Sequence, residues 1–369
     1  MTKRKIVLRV LIFAMISALL FVYLNNVFSL GNADTNKQIY NAFYAQEEDT
    51  DDVLYVGTSA ANRYFISPLC YEKTGTTVFN LSVMGMPMFL VKDAIEEAEK
   101  TQNPKLYIIE LRWVLKSADQ VTDAHVRRVT DSMKYFGLRN QAIKDSFAFM
   151  KRTDTDNLTD SIDYYIPMIK FHSKVTAAGS DLKLSDWLLK NKKNKTMGYV
   201  MTHKSYVVKP QNKPVYSDEK AALTTEAKDT LNELLDYLDK KGKDVLFVMS
   251  PYSMEEGEKA KFNTAIDMVE DRGYTVLDFN TKSMAKKLKL DFSKDYYNSK
   301  HTNYLGAQKY TKYITQYLKN NYDLPDHRGD SKYSKWDEAY DYYKEYISTH
   351  PLEYVANPDL NEDESVSDD

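Results

Sequence analysis

Beyond residue 50 the chain is punctuated by five short runs that are almost continuously apolar: Val53 to Val56, Thr77 to Leu81, Leu106 to Leu111, Val245 to Met249 and Tyr274 to Phe279. Each has strand length and is rich in β-branched or aromatic residues, the pattern of a strand buried on both faces. Between and after them, apolar positions recur at helical spacing over Met88 to Thr101, Leu223 to Lys241, Glu256 to Asp271 and Asn303 to Asn321. Strands alternating with helices imply right-handed crossovers and a parallel sheet covered on both sides. The expected fold class is α/β, a three-layer α/β/α sandwich on a mostly parallel five-stranded sheet.

Two segments break that rhythm. Residues 115–222 are polar and rich in Lys, Asp and Tyr, with helical pieces at Ala124 to Phe136 and Gln141 to Arg152. They read as an insertion over one end of the sheet. Past Pro325, Trp336, Tyr340, Tyr343 and Ile347 lie at helical spacing in Tyr333 to Thr349. Such an aromatic stripe either docks a terminal helix on the domain or offers a face to carbohydrate or a partner. The last stretch, Asn361 to Asp369, is acidic and expected to be disordered.

At the other end, Lys3, Arg4, Lys5 and Arg9 precede a stretch from Val10 to Ala33 without a charged residue. An apolar run near the ~20 residues that span a bilayer, led by basic residues, predicts a membrane helix with a cytoplasmic amino terminus. The expected organisation is a cytoplasmic segment (1–9), a single-pass signal anchor (10–30), an extracytoplasmic domain (34–325) and a tail (326–369). A cleaved signal peptide is the competing reading, because Ser29 to Ala33 is small and polar, but no convincing small-x-small site is present.

Composition narrows the picture further. The chain has 369 residues, 43% of them hydrophobic, with Lys+Arg 50 against Asp+Glu 53 and a net charge of −3. That excludes a wholly disordered chain and supplies no positive field for nucleic acid. Cys70 is the sole cysteine, so no intramolecular disulfide or cysteine-rich metal site can form. With no phosphate loop, dinucleotide fingerprint or His-Glu-x-x-His sequence, neither cofactor nor metal is expected.

Candidate chemistry lies after the first and last strands. Gly57-Thr58-Ser59 places a serine in a tight turn at the carboxyl edge of the sheet, where ligands bind in such folds. There Ser59 either exposes a nucleophilic hydroxyl near free helix-start N–H groups or simply caps the helix. His301, one of only six histidines, stands just before the last helix and can serve as its general base if a third group fixes its tautomer. Asn298 can do so through its amide oxygen without a full charge, and Asp295 is the nearest carboxylate on the same loop.

Four blocks together, Gly57-Thr58-Ser59, Phe79 to Pro87, Pro104 to Arg112 and Tyr297 to Ala307, resemble those of SGNH/GDSL-type hydrolases. They are most similar to the membrane-anchored bacterial branch that includes the teichoic acid D-alanyl transfer protein and alginate-type O-acetylation proteins, which work beside a membrane-bound O-acyltransferase. The resemblance runs from about Asp51 to Asn321, loosely across the insertion. It implies Ser59 as nucleophile, His301 as base and acid, and Gly85 and Asn80 in the oxyanion or substrate site. Two departures stand out. The triad acid usually two or three residues before the histidine is replaced by Ser299 and Asn298, and the third strand offers Glu110 and Arg112 where an asparagine donor is usual. Arg112 would then bind an anionic substrate, or else form a surface salt bridge. In the insertion, His125, Arg127, Arg128 and His172 are further cleft candidates, a solvated helix face being the plainer expectation for the first three.

The implied function is acyl-ester transfer or hydrolysis on a cell-envelope polysaccharide or teichoic acid, outside the membrane. The alternative is a catalytically weak or inactive accessory protein that binds polymer or a membrane-bound O-acyltransferase.

Overall fold

The computed structural model describes residues 2–31, 34–175, 182–206 and 214–355. Its strands are β1 (Val53–Gly57), β2 (Val78–Ser82), β3 (Leu106–Glu110), β4 (Lys204–Tyr206), β5 (Asp244–Met249), β6 (Thr275–Asp278) and β7 (Glu353–Val355). Five of them form one sheet in the order β2-β1-β3-β5-β6, every pair parallel. The sheet is thus wholly parallel, and each expected strand is present to within a residue or two.

The continuous apolarity of the strands follows from two cores. Leu54 and Val56 of β1, with Phe79, Tyr107, Ile109 and Phe247, face one core. The helices Thr35–Phe43, Val91–Ala98, Thr225–Lys241 and Glu256–Glu270 close it through Ile39, Ile95, Leu231 and Phe262. Val53 and Tyr55, with Val78, Ile108, Leu246 and Val248, face the other, which Tyr310 and Ile314 of the Tyr304–Asn321 helix complete. A strand with one solvated face would forgo roughly 1.5–3 kcal/mol for each such side chain left exposed.

Strand order places the site. The chain leaves β1 for β2 on one side and then crosses to β3 on the other, so the order reverses between β1 and β3. The crevice beyond such a reversal is the usual ligand position in open parallel sheets. Ser59 lies just past β1, and Arg112 just past β3.

Boundaries shift where local chemistry intervenes. The expected Met88–Thr101 helix is a 3₁₀ turn, Met88–Leu90, leading into Val91–Ala98, with the extended Pro87 as its cap. In the insertion, Asp123–Thr130 and Phe136–Arg152 are helical and share a small core of their own with Val121, Ile143, Phe149 and Tyr164.

The tail helix, Ser334–Thr349, docks on the domain. Trp336 and Tyr343 are buried, and the Trp336 ring lies 5.6 Å from that of Tyr71. Beyond it, β7 pairs in parallel with β4 from the end of the insertion, a ribbon that nothing in the sequence pattern announces. The acidic stretch Asn361 to Asp369 lies outside the described residues.

The amino-terminal helix, Lys3–Val27, is 25 residues long and apolar enough to cross a membrane, with none of its most apolar window buried against the protein.

Candidate active site

Ser59 owes its position to the close approach of β1 and β3. A Cβ on Gly57 would stand 2.5 Å from the Glu110 Cβ, so only glycine lets β1 run to its end beside β3. Thr58 then caps the short helix Ser59–Asn62, its Oγ1 accepting from Ala60 N at 3.1 Å. Two amides pin that turn to β2: Asn80 Nδ2 donates to Ala61 O at 3.0 Å and Asn62 Nδ2 to Ser82 O at 3.1 Å. Asn80 is therefore a brace beneath the serine turn. One of its two amide N–H groups is thereby committed to backbone.

His301 arrives on a loop closed on itself. Tyr297 N donates to His301 O at 2.8 Å, Asn303 N donates to Asp295 O at 3.0 Å, and Tyr296 bridges Thr302. Asn303 then starts the Tyr304–Asn321 helix, its Oδ1 accepting from Leu305 N and Gly306 N. This geometry brings His301 Nε2 to 2.8 Å from Ser59 Oγ.

Asn298 completes the row. Its Oδ1 accepts from the backbone N–H groups of Lys300 and His301, both at 2.9 Å, and stands 3.1 Å from His301 Nδ1. Two backbone donors on one atom identify it as the amide oxygen rather than the nitrogen. His301 Nδ1 must then carry the proton that Asn298 accepts, which leaves the Nε2 lone pair facing the serine hydroxyl. Burial, reinforced by the positive charges of Arg112, Arg63 and Lys300, holds the imidazole well below its ordinary pKa. A neutral ring can take the Ser59 proton, but the imidazolium it becomes has no carboxylate partner among the described residues.

Asp295 does not fill that role. Its carboxylate accepts from Asp291 N at 2.7 Å and from Lys309 Nζ at 2.6 Å, tying the base of the loop to the Tyr304–Asn321 helix. The four-residue span from Asp291 suits a turn clamp, and the side chain is committed there.

Arg112 is buried rather than at a surface salt bridge. Its Nη1 donates to Lys300 O at 2.6 Å, its Nη2 to Tyr64 Oη and Ser250 Oγ at 3.2 and 3.3 Å, and the guanidinium lies 4.2 Å from the centre of the Tyr252 ring. Glu110 sits beneath, accepting from Ser250 Oγ at 2.6 Å and from the N–H groups of Ser250 and Arg112. Burial pushes the Glu110 carboxyl above the usual range, against the pull of Arg112 and these donors. Ser250, Tyr64 and Tyr252 were not among the sequence candidates. The available signal was a Ser-Pro step directly after the β5 run, again at the carboxyl edge of the sheet.

Gly85 has φ +68°, and a Cβ there would meet the His125 ring at 2.4 Å and Trp113 at 2.9 Å. The insertion thus presses on this turn, where Arg128 also donates to Met84 O at 3.2 Å. His125 and Arg127 are buried, and Arg127 is ion-paired with Asp123, so these two do not form the solvated face expected of them. His172 is exposed, with Nδ1 2.6 Å from Ile169 O.

Among the described residues no group of three or more His, Cys, Asp or Glu side chains stands close enough to hold a metal. The chain matches no protein-family model, and no curated protein matches its sequence.

Proposed function

We propose that this is an SGNH-like serine acyl-ester transferase or esterase, tethered by Lys3–Val27 with its main domain outside the cell membrane, acting on a cell-envelope glycopolymer. The observation that carries this reading is the row Ser59 Oγ, His301 Nε2, His301 Nδ1, Asn298 Oδ1, at 2.8 and 3.1 Å. His301 Nε2 accepts the Ser59 proton as Oγ attacks the acyl carbonyl carbon. The bond to the leaving oxygen breaks as that oxygen takes the proton back, leaving an acyl-serine. A hydroxyl of a sugar or polyol, or water, then repeats the sequence in reverse. Sugar or polyol makes the protein a transferase, water an esterase.

In this reading Ser59 N–H and the Gly85 turn receive the oxyanion, while Asn80 and Arg112 position the two halves of the site. Asn298 fixes the tautomer without ionic stabilisation of imidazolium, which suits an activated donor better than a stable ester. No cofactor enters the scheme.

The test is covalent labelling of the full-length protein in detergent by a serine-directed fluorophosphonate. Labelling should occur in the parent and vanish in Ser59→Ala and His301→Ala. A folded parent that never labels would sink the catalytic reading and favour an accessory protein presenting polymer to a membrane-bound O-acyltransferase.

A further inference from the structure

Apolar side chains crowd the surface around the carboxyl end of the Lys3–Val27 helix. In the insertion, Ile162 and Ile169 are 49% and 42% exposed, Leu184 is 73% and Leu188 is 55% exposed, and Trp187 is 39% exposed. These residues belong to, or directly follow, the short helices Ser161–Tyr165, Pro167–Phe171 and Leu184–Trp187. The second and third of these helices grip the end of the long one: Met168 N donates to Asn25 Oδ1 at 3.2 Å, Tyr23 Oη donates to Trp187 O at 2.7 Å, and Phe28 packs edge-on to Trp187 at 6.3 Å. The apolar surface of the long helix therefore continues sideways into the insertion.

Charge follows directly. Lys190, Lys192, Lys193 and Lys195 are exposed immediately after the apolar Leu188-Leu189 step. Beside them a cavity of about 580 Å³ opens at the last turn of the long helix, lined by Asn26, Ser29, Lys37, Lys134, Arg139 and Lys193. One carboxylate, Asp131, also lines it, already held by Arg139 at 2.9 Å and Arg127 at 3.5 Å. The cations outnumber it.

We propose that the insertion is a membrane seat: its short helices enter the interfacial layer of an anionic bilayer, and the adjoining basic cavity takes a phospholipid phosphate. Tryptophan and tyrosine at the end of an apolar helix, with lysines just outside, match the layered chemistry of a bilayer surface. The occupant is lipid because the patch is continuous with a helix long and apolar enough to lie in lipid. The proposal rests on the membrane-crossing reading of Lys3–Val27 and adds to it a fixed height of the site above the bilayer.

The test uses full-length protein in phosphatidylcholine nanodiscs with and without phosphatidylglycerol. Trp113 and Trp336 are buried, so the difference between parent and Trp187→Phe reports Trp187. Its emission should be quenched by a headgroup-proximal nitroxide lipid more than by a chain-end one. Phosphatidylglycerol carried through purification should fall roughly tenfold in the Lys134→Glu/Lys193→Glu double variant and resist displacement by inorganic phosphate. Failure of the chain to enter discs would overturn the membrane-crossing reading itself. Entry without Trp187 quenching would overturn the seat alone. Lipid retention unmoved by charge reversal, or displaced by inorganic phosphate, would overturn the headgroup site.

Discussion

The carbonyl of Lys300, the residue before His301, is held by the Arg112 guanidinium at 2.6 Å. The end of β3 thereby sets the height of the loop that carries the base, and the Arg112 contacts to Tyr64 and Ser250 fix the guanidinium in turn. Arg112→Lys keeps the charge but not the forked donor. Fluorophosphonate labelling should slow by as much as about 100-fold, the scale of a ~1 Å misplacement of a reacting group. An unchanged rate in the folded variant would show that the loop holds itself.

Asn298→Asp should strengthen the base. A carboxylate 3.1 Å from Nδ1 opposes the lowering by burial and by Arg112, Arg63 and Lys300. The His301 pKa should rise. In the parent the acid limb of the labelling rate lies below the ordinary histidine value; in the variant it moves to higher pH. A limb that stays in place would mean that His301 is not the titrating group.

Asp295→Ala separates fold from chemistry. Removing the carboxylate strips Asp291 N of its acceptor and leaves Lys309 Nζ only the Lys289 carbonyl, which should cost about 1–3 kcal/mol in a denaturant titration. The labelling rate of the folded fraction should be unchanged. A large loss of rate at full occupancy of the fold would return Asp295 to the catalytic apparatus.

Asp93, on the Val91–Ala98 helix, is wholly buried, and both its carboxylate oxygens lack hydrogen-bond partners among the described residues. Burial, with Asp145 and Glu96 adding to it and Lys92 opposing, raises its pKa to about 7. Between about pH 4 and 7 the folded state keeps a proton that the unfolded state releases, so this group's contribution falls as pH rises. Asp93→Asn should therefore raise stability at pH 8, by up to roughly 4 kcal/mol, and change it little at pH 4. Melting temperatures at the two pH values decide it; an equal shift at both would point to packing instead.

The strands were legible because both faces of each are mostly apolar, so Val53 to Val56 cannot be mistaken for an amphipathic edge. Ser59 and His301 were legible because chemistry at the carboxyl edge of a parallel sheet requires a turn after one strand and a loop before one helix. Asp295 and Asn298 could not be separated, since both lie within one short loop and only its fold decides which side chain faces the imidazole. Arg112 read equally as a surface cation, because its burial depends on Tyr252 and Ser250, which are far away in sequence. The β4–β7 ribbon left no trace, as three-residue strands carry too little periodicity to register.

Ser59 and His301 lie 242 positions apart, and the last described strand returns to pair with one inside the insertion. Loop closures of that length come late, after the local helices have formed. During synthesis Ser59 therefore stands without its partner: its hydroxyl meets the His301 imidazole only when most of the chain has emerged. On the proposed acyl-ester reading, activation is then a consequence of finishing the fold, and a chain interrupted anywhere before His301 carries no competent nucleophile.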